Sequence, residues 1–467
     1  MDDIASIITP AGIAAIAAIR ISGPNSHSII KKITNLSEKD LVAGTFKLAW
    51  IKDEGVAESY VDQALILCFK APKSFTGEDV IEIQCHGGTW LSKRILELVL
   101  NNGARLAKAG EFTERAILNK KIDLSQAEGI LDLIHSRGEL SSHNALKLYS
   151  GKLGKKVSGI REELISIFSE LIACIDFPDE VAEYVPDLFS SRLETVIEEI
   201  REILASEKSG LILREGFKVA LAGAPNAGKS SLLNALLGTE RAIVTEIAGT
   251  TRDIIEESIN IDGLSVVFLD TAGIRDSSDK VEQIGIELSK KALLEADLIL
   301  WLEDMSLAAK ESLDKHVTEG SGFSLIQNTF KQINESNQEE LFKRLVKIGT
   351  KLDLLNTAQE NAYELCISVK NENSLNELKK LIFLKANPEL KDIRDHNKVS
   401  INTRQADALR QAVNELEKAI IASKSGLAHD FWTIDLKSAI SKLGEITGDE
   451  LNEEILDDMF SKFCIGK

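Results

Sequence analysis

Phe217-Lys-Val-Ala-Leu-Ala222 followed by Gly223-Ala-Pro-Asn-Ala-Gly228-Lys229-Ser230 is the stretch whose reading decides the fold. A strand-like apolar run leads into the pattern G-x-x-x-x-G-K-[ST], and a helix is predicted over residues 230–237, which is the context this motif requires. Glycines let successive backbone N–H groups curl round phosphates, and the start of a helix adds the positive end of its dipole. Lys229 is expected to reach the terminal phosphates and the Ser230 hydroxyl to ligate Mg²⁺. Asn226, Ala227, Gly228 and Ser231 complete the loop.

Outward from this loop, strands are predicted near residues 254–261 and 265–269, joined by a turn at Asp262-Gly263. A helix near 280–295, strands at 298–302, up to 348 and at 364–369, and a helix at 375–384 follow. Strands alternating with helices predict a doubly wound, mostly parallel sheet, whose ligands gather at the carboxyl ends of the strands. Three short segments at such ends point to a guanine nucleotide. In Asp270-Thr271-Ala272-Gly273 the carboxylate is placed to hold Mg²⁺ through water and Gly273 N–H to sense the γ-phosphate. Thr350-Lys351-Leu-Asp353 offers Asp353 to guanine N1–H and its amino group, and Ser368-Val369-Lys370 suits guanine O6. Thr350 stands where most such proteins carry Asn. The position after Gly273, where Ras-like enzymes carry a water-orienting Gln, is Ile274, and an apolar side chain cannot polarise water. About 20 residues past the P-loop, Thr245-Glu246-Ile247-Ala248-Gly249-Thr250-Thr251 reads as a switch loop, with Thr251 placed to ligate Mg²⁺ and close over the γ-phosphate.

The 467 residues suggest about three domains at ~150 residues each. Residues 1–121 read as mixed α/β, 122–210 and 386–467 as helical, and 211–385 as the nucleotide-binding domain inserted between the helical flanks. Net charge over these four segments, in chain order, is +1, −8, −7 and −4. An acidic chain makes a poor general nucleic-acid binder, because phosphate affinity rests on Lys and Arg. The apolar opening, residues 4–21, is preceded by Asp2 and Asp3 where a signal peptide needs positive charge, and Pro10, Gly12 and Arg20 interrupt it. Five scattered cysteines with no C-x-x-C fit reduced thiols, so the expected location is the cytoplasm, away from membranes. Cys85 and Cys174 read as core thiols, and His86, before two glycines, as a turn and packing residue.

Together with the nucleotide segments, a further set of motifs resembles the MnmE family of tRNA-modification GTPases over nearly the whole chain. They are Arg20-Ile-Ser-Gly23, Ser74-Phe-Thr-Gly-Glu-Asp79 with Glu82, His86-Gly-Gly88, Gly110-Glu-Phe-Thr-Glu-Arg115, Lys121-Ile-Asp-Leu-Ser-Gln-Ala-Glu128, Ile175-Asp-Phe-Pro178 and Cys464-Ile-Gly-Lys467. Departures are Ala109 for the usual Pro, Thr350 for Asn, and an unfamiliar pattern over 303–349. The resemblance implies a potassium-activated GTPase whose nucleotide domains pair, with K⁺ held by Asn226, Thr245, Ile247 and Thr250, and water positioned by Glu282. It also implies an N-terminal homodimerising module that binds a tetrahydrofolate derivative through Arg20, Glu82, Lys121 and Lys467, with Cys464 as a catalytic thiol. The expected partners are tRNA and, in a heterotetramer, the FAD-carrying MnmG (GidA), the product being an aminomethyl or carboxymethylaminomethyl group on carbon 5 of the wobble uridine. A ribosome-assembly GTPase of the Era type, without RNA chemistry, is the alternative reading.

Overall fold

The structure is a computed structural model that describes residues 2–53, 60–180, 184–224, 226–239, 257–270, 291–306, 338–355, 363–390, 398–450, 456, 459–461, 463 and 466. The chain packs as two compact units. The first comprises residues 1–131, 147–199 and 407–467, the second 132–146 and 200–406.

The first unit opens with a six-stranded sheet of order β3-β4-β5-β2-β1-β6. Its strands are β1 (Ile4–Ile7), β2 (Ile16–Ser22), β3 (Phe46–Lys52), β4 (Tyr60–Phe69), β5 (Val80–His86) and β6 (Arg105–Leu106). Pairing is antiparallel except between β1 and β6. Strand alternation sends every second side chain to one face. There Ile19, Ile21, Ile81 and Ile83 pack under Ile29 and Ile33 of α1 (Ser26–Ile33) and Ile95 and Val99 of α2 (Thr89–Asn101). Strands β1 and β3 were not expected from the sequence. Helices α3 (Glu111–Leu118) and α4 (Leu124–His135) follow, then α5 (Glu139–Tyr149), most of which belongs to the second unit, the long α6 (Lys152–Asp176), and α7 (Pro186–Leu204). On α6 the buried Val157, Ile160, Leu164, Ile167 and Leu171 recur at three and four residues, one stripe of a helix.

In the second unit α8 (Glu207–Glu215) leads into a sheet of order β12-β11-β10-β7-β9-β8. Its strands are β7 (Phe217–Gly223), β8 (Glu257–Ile261), β9 (Leu264–Asp270), β10 (Leu298–Asp304), β11 (Leu345–Thr350) and β12 (Leu365–Cys366). All pairs are parallel except the β8–β9 hairpin. A parallel sheet must be covered on both faces. On β7, Val219 and Leu221 join a core with Leu232 and Leu236 of α9 (Lys229–Thr239) and Leu378 of a later helix (372–390), while Ala220 and Ala222 join the opposite core with Ala292 and Leu293. The described helices of the remainder are α10 (Gln338–Lys343), α11 (Glu372–Leu390), α12 (Thr403–Lys424) and α13 (His429–Thr447). The strand expected over 364–369 shrinks to β12, and the chain turns at Ser368, whose carbonyl accepts the Asn371 N–H at 3.0 Å.

Within the first unit α13 packs on α6, and Phe189 of α7 stacks 4.9 Å from Trp432 of α13. Helices from either side of the nucleotide-binding sheet thus share one core. This is the expected fold class, a doubly wound P-loop domain inserted in a discontinuous helical domain, with an N-terminal α/β module. No described helix is long and apolar enough to cross a membrane.

Candidate functional site

Strand β7 lies in the middle of its sheet and ends at Gly223, whose φ of +145° brings it against the Leu302 carbonyl of β10, so closely that a Cβ would collide with it. The chain then turns through Asn226 (φ +65°) and Gly228 (φ +98°) into α9, which begins at Lys229. Lys229 Nζ folds back onto the carbonyls of Gly223 (2.8 Å) and Ala224 (3.0 Å), closing the loop with an ammonium over its mouth. Asn226, Ser230 and Ser231 are exposed at the rim, and Ala227 is buried. Exposed hydroxyls and a backbone ring beside a helix N-terminus suit phosphate and a hard cation such as Mg²⁺.

The two segments expected to read the base meet at the ends of β11 and β12. Asp353 accepts from Ser368 Oγ (2.9 Å) and Lys370 Nζ (2.8 Å), and Val369 is half-buried against the core. The hydrogen bond from Lys370, with that from Ser368, holds the Asp353 carboxyl below its ordinary range, so it stays an anion ready for two N–H donors. Lys351, with φ +61°, pairs its ammonium with Asp304 Oδ2 at 2.6 Å. Burial pushes the Asp304 carboxyl up, but the hydrogen bonds from Lys351 and Ser306 outweigh it and leave it lowered. Asp304 was not singled out from the sequence, and its one signal is its place at the end of the apolar strand 298–302. Thr350 is buried, and its Oγ1 lies 2.8 Å from the Ala227 carbonyl and 3.0 Å from that of Glu303. Asp270 ends β9 beside β7. Thr245, Glu246, Ile247, Ala248, Gly249, Thr250, Thr251, Thr271, Ala272, Gly273, Ile274 and Glu282 lie outside the described residues.

In the N-terminal sheet, Arg20 of β2 stands opposite Glu82 of β5. Both Nε and one Nη of Arg20 lie 2.8 Å from Glu82 Oε1, and the guanidinium sits between the Phe75 and Phe112 rings at 5.3 and 5.5 Å. Two ring faces on a cation add to its hold. Two residues on along β2, Ser22 Oγ contacts Thr76 and Glu78 at 2.7 Å. Glu78 takes Arg115 at 3.0 Å, and Arg115 also meets Asp2 and Glu111. Lys121 Nζ reaches the Pro72 carbonyl at 2.9 Å, on the same 70–79 loop. This network was missed, although Ser22, Thr76, Glu78, Glu111 and Arg115 fall in the quoted motifs. His86 is not the packing residue expected. Its ring is exposed, and Nδ1 meets Asp62 at 2.7 Å. Burial raises the Cys85 thiol to about 11, an inert core group as expected.

The described residues of the carboxyl-terminal tail lie on this module. Phe460 covers Gly110, and Met459, Phe460 and Phe463 pack with Ile117, Leu124 and Ala127. Gly466 (φ +106°) abuts the Ile7 carbonyl so tightly that a Cβ would stand 2.6 Å from it. Ile7 pairs with Ile19, next to Arg20, so the tail ends beside the strand pair that carries Arg20. Cys464 and Lys467 themselves lie outside the described residues.

The family profile described as the MnmE helical domain matches residues 124–464, and that of the GTP-binding protein TrmE N-terminus matches residues 3–121. The chain belongs to the MnmE family. Curated tRNA modification GTPases MnmE from Thermoanaerobacter pseudethanolicus and Carboxydothermus hydrogenoformans are 38% and 39% identical to it, over 100% of this chain and 99% of each relative. That from Thermotoga petrophila is 37% identical over the whole of both chains. A solved Era structure from Aquifex aeolicus is 27% identical, matched over 42% of this chain and 66% of that one with a TM-score of 0.25, too low to bear on fold or activity. As a member of the MnmE family with a formed P-loop at the end of β7, the chain is a GTP hydrolase.

Proposed function

We propose that this chain is a potassium-activated GTPase that acts with the FAD-containing MnmG on tRNA. Together they add a carboxymethylaminomethyl or aminomethyl group to carbon 5 of the wobble uridine, with a tetrahydrofolate derivative as one-carbon carrier. The observation that carries the reading is the placement of the tail: Gly466 lies beside the β1–β2 pair that bears Arg20, with Glu82 across it, in a chain that also holds a P-loop.

In this reading 211–385 is the nucleotide domain, 122–210 and 386–467 the helical domain, and 1–121 the module that binds folate and forms the homodimer. Asn226, Ala227, Gly228, Lys229, Ser230 and Ser231 hold the phosphates, and Ser230 and Thr251 ligate Mg²⁺. Asn226, Thr245, Ile247 and Thr250 offer oxygens to K⁺, and Asn226 is exposed at the P-loop rim as that role requires. Oxygen-only ligation suits a hard cation that neutralises charge between the β- and γ-phosphates. Glu282 positions water where Ile274 cannot. Arg20, still paired with Glu82, and Lys121 contact the folate derivative, and Lys467 and Cys464 arrive with the tail. Such chemistry belongs in the cytoplasm. An Era-type assembly switch leaves the match of residues 3–121 unexplained. Nucleoside analysis of tRNA from a strain lacking the gene tests the proposal. The modified wobble uridine is expected to vanish and to return with the wild-type chain but not with Lys229→Ala. Return with neither would contradict it.

A further inference from the structure

Thr350 sits in a polar environment with an arithmetic imbalance. Its hydroxyl carries one hydrogen, and the two groups that Oγ1 meets, the carbonyls of Ala227 in the P-loop and Glu303 at the end of β10, are both acceptors. The side chain is only 3% exposed, and the rotamer that serves these carbonyls is enclosed by β10, β11 and the loop after Gly223. The hydrogen is therefore committed inward, to a tie between the phosphate loop and the strand that opens the base-reading segment. A side-chain amide at this position would carry two hydrogens, one for the protein and one for a ligand.

Guanine presents N2, N1, O6 and N7 in that order round its edge. If Asp353 holds N1 and N2, and O6 meets the turn at Ser368–Lys370, then N7 faces the root of the Thr350 segment. Lys351, the next residue, has its ammonium turned to Asp304 at 2.6 Å, and Ser368 gives its hydrogen to Asp353. We propose that Thr350 is a positioning residue that ties the P-loop to β10 and β11, and that guanine is accordingly recognised by its Watson–Crick edge, with N7 read by none of the described side chains. The proposal rests on the reading of Asp353 and Ser368–Lys370 as the base site and deepens it.

Replacing N7 by a C–H group, as in 7-deaza-GDP, tests this in the full-length protein by competition against a ribose-labelled fluorescent GDP. The wild-type chain is expected to bind GDP and 7-deaza-GDP within about twofold of one another, since no hydrogen bond is lost. Thr350→Asn supplies the missing donor, so its ratio of 7-deaza-GDP to GDP dissociation constants is expected to rise to about fivefold or more, the worth of one hydrogen bond. Thr350→Val keeps the volume but leaves both carbonyls without the hydroxyl, and is expected to weaken both nucleotides by about tenfold with their ratio still near one. That shared loss with an unchanged ratio separates positioning from base contact. A wild-type preference for GDP of tenfold or more overturns the proposal while leaving the guanine site intact, as does a Thr350→Asn chain that still fails to discriminate. If ADP competes as well as GDP, the guanine reading itself falls and takes this proposal with it.

Discussion

The Arg20–Glu82 pair of the first sheet and the Lys370–Asp353 pair of the second have the same separation, 2.8 Å, but opposite surroundings. Arg20 and Glu82 are 16% and 17% exposed and capped by two aromatic rings, whereas Lys370 and Asp353 are 76% and 28% exposed. Coulomb attraction at one distance is several times stronger in a low-dielectric setting, and a charge left alone there is far more costly. A ligand can therefore displace Lys370 from Asp353 at little cost, but must fit alongside Arg20 and Glu82 without separating them. The surroundings of Asp353 favour exchange of partners, and those of Arg20 and Glu82 favour permanence of the pair.

The contrast is strongest at Arg115, whose side chain is 6% exposed between Glu78 and Glu111. Arg115→Met leaves Glu78 without its charged partner and Glu111 with Arg105 alone, and is expected to destabilise the first unit by about 3–5 kcal/mol in urea unfolding. A loss below 1 kcal/mol would erase the difference between the two regions. At the exchangeable site, Asp353→Asn removes an anion that receives two N–H groups. GTP affinity is expected to fall by about 100-fold, with xanthosine nucleotides bound in preference, by equilibrium titration.

Acid should read the same contrast more weakly. Arg105 lowers the Asp2 carboxyl to about 2, and for Glu111 the push upward from burial is outweighed by Arg105, the Lys108 amide and Arg115, leaving it below its ordinary 4.5. Groups depressed in the folded state stabilise fully above their unfolded values and lose that contribution as pH falls through the folded ones. Stability of the first unit is thus expected to decline from about pH 4.5 towards 2, and less steeply in Arg115→Met, by thermal unfolding in a pH series. The smallest effect belongs to Lys370→Ala, expected to change GDP affinity by less than about fivefold, since an exposed ion pair is worth up to about 1 kcal/mol. A large loss there would mean that Lys370 is not the displaceable partner.

The nucleotide domain was legible because its chemistry is local. Residues 217–230 contain strand, loop and helix in sequence order, and Thr350–Asp353 and Ser368–Lys370 announce themselves at strand ends. What escaped is what depends on distant pairing. Strand β3 exists by pairing with β4, and Asp304 matters because Lys351, 47 residues on, reaches it. The Arg115 network joins Asp2, Glu78 and Glu111, which no periodicity connects. His86 looked like a turn residue beside its glycines because nothing in the sequence pairs it with Asp62. Thr350 was visible as a departure, but the two carbonyls that explain it are contributed by other segments.

The account stands or falls on one chain holding two independent ligand sites on two sheets. Titration of 5-formyl-tetrahydrofolate and GDP into the wild-type chain and Arg20→Met tests this directly. The wild type is expected to bind both, and Arg20→Met to lose about tenfold or more of its folate affinity through the missing charge-assisted bonds while its GDP affinity is unchanged. Folate that fails to bind the wild type, or that binds Arg20→Met equally well, would contradict it.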